Sequence, residues 1–323
     1  MSNIPQTTKS NPLLFLFGPT GVGKTELLRH VFPHRFSVVN ADSKQVYRYL
    51  DIGSAKPDTT ILSEIPHHLI DIRDPWEQFT VGDFVTLADE ACAEIAAQGR
   101  IPLLCGGTAY YFKHFYFGMP ASPQSDPVIR ERVGTWAREK GLPWCFQRLQ
   151  ELDPVSATRI HPADGYRITR ALEVYEATGQ PLSNFPPPAK PRNGIQPLVL
   201  GLQRDKAELH ERIDTRVTSM FKNGLVAEFD RLLALGATEN WPGMQGIGYR
   251  EFFIARNTVG MDLDAVADLI RRNSRLYAKR QLTFFKSIPG VHWFHPDDEQ
   301  GIKDIVENYL TNPSGISPPE GAS

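Results

Sequence analysis

This 323-residue chain lacks any apolar run long enough to cross a bilayer, which argues against a membrane span. It has only three cysteines, Cys92, Cys105 and Cys145, an odd number with no Cys-x-x-Cys pair. That argues against a disulfide framework and a zinc finger, and each cysteine reads as a small core residue. Neither sign of charge dominates: the net charge is −2, so no global basic field announces a nucleic acid. Residues 1–11 are polar and lack the apolar core of a signal peptide, so the cytoplasm is the expected compartment. The hydrophobic content of 41% and charged content of 22% fit a globular protein of one large or two modest domains.

What the chain does have is a phosphate cradle. Gly18-Pro19-Thr20-Gly21-Val22-Gly23-Lys24-Thr25 fits G-x-x-x-x-G-K-[ST]. It directly follows the apolar run Leu13–Phe17 and precedes the helical pattern Glu26-Leu27-Leu28-Arg29. The glycines let successive N–H groups turn inward around an anion, and the helix opening near Gly23 points its positive end at the same place. Lys24 adds a point charge, and the Thr25 hydroxyl can hold Mg²⁺. The loop implies a bound di- or triphosphate group, without saying which molecule carries it.

Further apolar runs read as strands: Phe36–Asn40, His68–Ile72, Ile101–Cys105 and Pro197–Leu202, with His292–Phe294 as an edge strand. Val81–Ala97 reads as a helix stopped by Gly99. Strands alternating with helices predict an α/β fold with a doubly wound parallel sheet, whose ligands sit beyond the carboxyl ends of the strands. Gly18–Thr25, Asp42-Ser43 and Gly106-Gly107-Thr108 each follow a strand end and should converge there. Residues 119–195 show no strand pattern and read as an all-helical insertion, with helices over Asp126–Arg138, Trp144–Leu152 and Ala163–Ala177. Asp126-Pro127 and Asp153-Pro154 look like helix openings, and Phe185–Arg192 like a stiff Pro-rich linker. The core is therefore expected over 12–118 and 196–295, with flexible tails at 1–11 and 311–323. Within it, Leu209, Ile213, Val217 and Met220 mark one helix face; Leu263, Val266, Ile270, Tyr277 and Phe284 mark another.

Asp42, at a strand end, could hold Mg²⁺, accept a proton or cap the next helix. Ile101–Cys105 carries no carboxylate at its end, which counts against a hydrolytic motor. Arg271, Arg272, Arg275, Lys279, Arg280 and Lys286 form a basic stripe without an acidic residue between them, the footprint of a polyanion or a solvated helix face.

Several blocks in order resemble the tRNA dimethylallyltransferases (tRNA isopentenyltransferases): Gly18–Thr25, Asn40–Tyr47, Leu50–Pro57, His67–Pro75, Gly106–Tyr111, Arg167–Val174, Gly246–Glu251 and Tyr277–Thr283. The resemblance runs from Pro12 to about Trp293. It implies a P-loop NTPase-like sheet flanked by helices, with the insertion gripping the anticodon stem of tRNA and swinging on its Pro-rich hinge. The implied reaction moves the dimethylallyl group from dimethylallyl diphosphate to N6 of adenine 37, with the loop and Mg²⁺ on Thr25 holding the diphosphate. In that family Asp42 matches the proton acceptor, Thr108 an active-site threonine that also meets the tRNA, and Arg216 an arginine near the diphosphate. Ser43, Lys44, Gln45 and Val46 match the target-adenine contact, although members differ at the middle two. Arg130 and the run Tyr166, Arg167, Ile168, Thr169, Arg170 match tRNA contacts in the insertion. Gln245, Gly246, Ile247, Gly248, Tyr249 and Arg250, with Arg280 and Gln281, would line the RNA channel, and the basic stripe then reads as RNA-facing. The absence of cysteine after Cys145 resembles the bacterial type, which lacks the C-terminal zinc finger of many eukaryotic members. Phe79-Thr80 departs from the more usual aromatic-Ser pair. A monomer is the default. The competing readings are a prenyltransferase acting on free adenylate, a small-molecule kinase and a non-enzymatic RNA-binding module.

Overall fold

The computed structural model describes residues 11–32 and 34–312. The chain forms two compact units: one runs through Tyr116 and resumes at Asn193, and the other is Phe117–Arg192.

The first unit is built on β1 (Leu14–Phe17), β2 (Phe36–Asn40), β3 (His67–His68), β4 (Ile101–Gly106), β5 (Leu198–Leu202) and β6 (Val291–Phe294), all parallel, in the order β3-β2-β4-β1-β5-β6. α1 (Lys24–Val31), α2 (Thr59–Glu64), α3 (Val81–Ala97) and α4 (Ala109–Phe117) accompany its first half. Four helices, α5 to α8, belong to the second unit and are given below. The second half carries α9 (Lys206–Lys222), α10 (Leu225–Ala234), α11 (Arg250–Arg256), α12 (Leu263–Phe285) and α13 (Glu299–Thr311).

Both faces of the sheet are covered. Leu13, Phe15 and Phe17 enter one core, while Leu14 and Leu16 enter the other. A central strand of this kind needs apolar residues at every position, which is why it reads as a continuous run. Phe17 pairs with Gly106 and Asn40 with Cys105, so β1, β2 and β4 end level. The loops opening at Gly18, Ala41 and Gly107 therefore leave the sheet side by side. Gly106 is required there, because a Cβ would lie 2.2 Å from the Ala41 carbonyl oxygen.

The second unit packs α5 (Pro127–Glu139), α6 (Leu142–Leu152), α7 (Pro154–Ala157) and α8 (Gly165–Thr178) around Val133, Cys145, Leu149, Ile168, Ala171 and Leu172. Asp126 Oδ1 accepts from Val128 N at 2.7 Å and caps α5. Asp153 caps α7 through Ser156 N and also accepts from Ser183 N, each at 2.9 Å.

The structure departs from the sequence reading in three places. The third strand shrinks to His67–His68, because Leu69 and Asp71 adopt φ of 64° and 55° and turn the chain off the ladder. Leu263 is half exposed, so the apolar face of α12 begins at Val266. α13 occupies the segment before the expected tail and includes Thr311, with Ile302, Val306 and Tyr309 buried on one face. The capping box that opens α3 explains the Thr80 departure: Thr80 Oγ1 accepts from Asp83 N, and Asp83 Oδ2 from Thr80 N. The expected leader through Ser10 and the tail after Asn312 lie outside the described residues.

Candidate active site

The phosphate loop wraps the N-terminus of α1. Gly21 and Gly23 hold φ of 81° and 108°, the left-handed geometry that successive inward N–H groups require. Lys24 Nζ donates to the carbonyls of Gly18 at 2.8 Å and Pro19 at 3.1 Å. Pro19 and Val22 are buried, while Thr20, Gly21, Gly23, Lys24 and Thr25 are half-buried and line a cavity of about 870 Å³. Arg216 of α9 faces the same cavity.

Beside the loop stand Asp42 and Thr108. Asp42 Oδ1 accepts from Lys44 N at 2.8 Å and Gln45 N at 3.4 Å, so it caps a turn over Ser43–Val46 and not a helix. Thr108 Oγ1 accepts from Ser43 N at 2.9 Å and its own N–H donates to Ala41 O, which joins the two strand-end loops. Gln281 joins them to the phosphate loop. Its Oε1 accepts from Thr20 N at 2.9 Å and its Nε2 donates to Gly107 O at 2.6 Å. Tyr277, one turn earlier on α12, lines the same cavity. The sequence reading treated Tyr277 as core and Gln281 as an RNA contact. Their i, i+4 spacing on one helix face was the signal available.

The opposite wall is made by residues 51–55 and 245–250. The buried Glu228 accepts from Asp51 N, Ile52 N, Gly53 N and the Tyr249 hydroxyl at 2.7–3.0 Å. Glu251 accepts from Gly248 N and from Asn273 Nδ2. Gln245, Gly246, Ile247, Gly248 and Arg250 line the cavity, as do Ser43, Lys44, Gln45 and Arg280. Lys44 Nζ donates to Pro242 O at 2.8 Å, and Gln45 Nε2 to Ser54 O and Ala55 O.

Four of the residues expected to contact RNA have buried side chains, Gln281 among them although it also lines the cavity. Val46, Tyr249 and Gln281 lie in the first unit's interior, and Ile168 is in the helical core. Each of these side chains packs or hydrogen-bonds within the fold. In the helical unit Arg130 and Tyr166 are exposed, Tyr166 by 75%. Arg167 sits 3.5 Å from Asp164, Thr169 donates to Tyr166 O, and Arg170 is tied to Glu173 and the Pro123 carbonyl. The basic stripe is partly neutralised, from α12 itself and from α9. Arg271 pairs with Asp268 and Arg275 with Asp214 of α9.

Burial sets the titration of the cavity. It lowers Lys24 to about 8, with Arg216 adding to the effect and Asp42 opposing it. It lowers Lys44 to about 8, again opposed by Asp42, and holds the Arg216 guanidinium below its usual value. Burial also pushes the Tyr277 phenol up to about 12, so it stays protonated at neutral pH. An anion entering this cavity meets partly desolvated cations, where each interaction is stronger than in bulk solvent.

A family model described as IPP transferase matches residues 45–288. The tRNA dimethylallyltransferase of Borreliella afzelii (strain PKo) is 39% identical over 300 residues, covering 92% of this chain and 98% of the relative. That of Syntrophobacter fumaroxidans (strain DSM 10017 / MPOB) is 40% identical over 308 residues, covering 94% and 89%. Among solved structures, the tRNA isopentenylpyrophosphate transferase of Bacillus halodurans aligns with a TM-score of 0.66 at 33% identity, covering 94% of this chain and 98% of its own. A eukaryotic dimethylallyltransferase acting on tRNA aligns at 0.77 and 25% identity, covering 95% and 81%.

Proposed function

The chain belongs to the IPP transferase family, and on that premise we propose that it is a tRNA dimethylallyltransferase. It moves the dimethylallyl group of dimethylallyl diphosphate to N6 of adenine 37 in tRNA. The observation that carries this reading is the single cavity in which a cationic phosphate cradle stands beside Asp42, while β4 ends in Gly106-Gly107-Thr108 without a carboxylate. A transferase of this kind needs an anion-stabilising cradle and a proton acceptor; it needs no residue to activate water.

The N6 nitrogen attacks the allylic C1. The N6–C1 bond forms, the C1–O bond breaks, and the electron pair leaves with diphosphate. The loop N–H groups, Lys24 and Arg216 stabilise the charge that builds on the leaving oxygens. Asp42, oriented by the Lys44 and Gln45 N–H groups, takes the N6 proton. Thr108, fixed by Ser43 N–H, offers its hydroxyl to the reacting groups. The donor set suits Mg²⁺, which takes few protein ligands and several phosphate oxygens: the Thr25 hydroxyl would hold it, and it would supply further charge stabilisation on the diphosphate.

The adenine must leave its stack to reach Asp42. The exposed Arg130, Tyr166 and Arg167 of the helical unit are read as its grip on the anticodon stem, with Arg250 and Arg280 meeting RNA at the cavity. Among the described residues no helix is long and apolar enough to cross a membrane, and a tRNA substrate implies the cytoplasm. The test is product analysis of an anticodon stem-loop after incubation with dimethylallyl diphosphate and Mg²⁺. One prenyl group on N6 of A37 per diphosphate released is expected; an unmodified RNA refutes the reading.

A further inference from the structure

Two arginines reach the phosphate loop, Arg204 from outside the cavity and Arg212 from its lining. Arg204 Nε donates to Val22 O and Arg212 Nε to Gly21 O, each at 2.9 Å. They flank Gly23, whose Cβ position lies 3.5 and 3.6 Å from their Nη2 atoms. Arg204 is almost fully buried, 5% exposed, and its fork is held at every nitrogen. Nη1 meets Glu208 and lies 3.3 Å from His295 Nε2, and Nη2 donates to Asp297 at 2.8 Å. Arg212 is anchored on Glu26 at 2.6 Å. Glu208, His295 and Asp297 would stand close enough for a metal, but the Arg204 guanidinium already joins the two carboxylates.

A trans peptide points its C=O and N–H in opposite directions. Holding the Val22 carbonyl outward turns the Gly23 N–H toward the cavity, and holding the Gly21 carbonyl constrains the peptide before it. We propose that Arg204 and Arg212 are positioning residues of the cradle, which fix the loop in its anion-accepting form before the diphosphate arrives. Charge attraction does not explain Arg204, because two carboxylates against one guanidinium leave its cluster without positive charge. The expected contribution is preorganisation: amides that need no reordering when the anion binds. This rests on the proposed function for the identity of the diphosphate, but not for the cradle itself.

The test measures inorganic pyrophosphate binding by calorimetry on the full chain, with Mg²⁺, in wild type, Arg204→Lys and the double variant Glu208→Ala/Asp297→Ala. Arg204→Lys keeps the charge and loses the fork. The double variant removes two negative charges and frees the guanidinium, and a thermal melt of each variant checks that it is folded at the assay temperature. Positioning predicts pyrophosphate binding weakened about tenfold in both, in protein that is still folded, with stem-loop affinity unchanged. A pure charge effect predicts no change in Arg204→Lys and tighter binding in the double variant; that pattern overturns the inference. A wild type that binds pyrophosphate but prenylates no RNA leaves the inference standing and removes the proposed function. A wild type that binds no pyrophosphate removes both.

Discussion

Raising the pH from 7 to 9 should weaken catalysis and strengthen the fold at the same time. Lys24 and Lys44 are lowered by burial to about 8 in the folded chain, against an ordinary 10.5. Between those values the unfolded chain binds more protons than the folded one, so stability rises with pH from about 8. Between about pH 8 and 10 each lysine contributes about 2 kcal/mol of that rise. The rise stops near pH 10, where Tyr47 and Tyr277, both held at about 12, begin to ionise only in the unfolded chain. Activity moves the other way, because the cradle needs a charged Lys24. The value of kcat/KM for dimethylallyl diphosphate should fall about tenfold per pH unit above a midpoint near 8. In kcat the same limb moves to higher pH, since bound diphosphate favours the ammonium. The assay is a pH series of prenyl transfer paired with thermal melts, in wild type and Lys44→Met. A kcat/KM that stays flat through pH 9 refutes the argument; a limb that disappears in Lys44→Met reassigns it from Lys24 to Lys44.

Three further outcomes are expected. Asp42→Asn keeps the Oδ1 acceptor for Lys44 N–H and removes the base, so kcat should fall on the order of 10²–10⁴-fold with pyrophosphate affinity unchanged, measured by single turnover and calorimetry. Gln281→Leu strands Thr20 N–H and Gly107 C=O and should cost about 2–4 kcal/mol in urea unfolding, with kcat falling as well. Gly106→Ala drives a methyl group to 2.2 Å from the Ala41 carbonyl and should destabilise by more than about 3 kcal/mol, read as a collapse of the thermal transition.

Much of this was legible in the sequence because its signals are local. The glycine-lysine loop, the apolar runs of β1, β4 and β5 and the Asp-Pro openings of α5 and α7 each lie within a few residues. What escaped depends on distance. Gln281 bridges to Thr20 and Gly107, 261 and 174 residues away, and its helical spacing from Tyr277 does not name those partners. Arg204 and Arg212 belong to no motif in the sequence, and only the fold brings them to Val22 and Gly21. Glu228, buried beneath Asp51–Gly53, follows the same logic, since a carboxylate on an amphipathic helix carries no sign that three amides will seek it. Ile168 and Tyr249 show the converse: a motif block can be shared for the sake of a core as readily as for a contact surface.

The most direct measurement is label transfer. Purified protein, Mg²⁺ and labelled dimethylallyl diphosphate are incubated with an anticodon stem-loop carrying A37, with the same stem-loop carrying G37, or with AMP. Label in the A37 stem-loop alone is the predicted result. Label in AMP alone would place the enzyme with free-nucleotide prenylation, and label in none of the three would contradict prenyl transfer altogether.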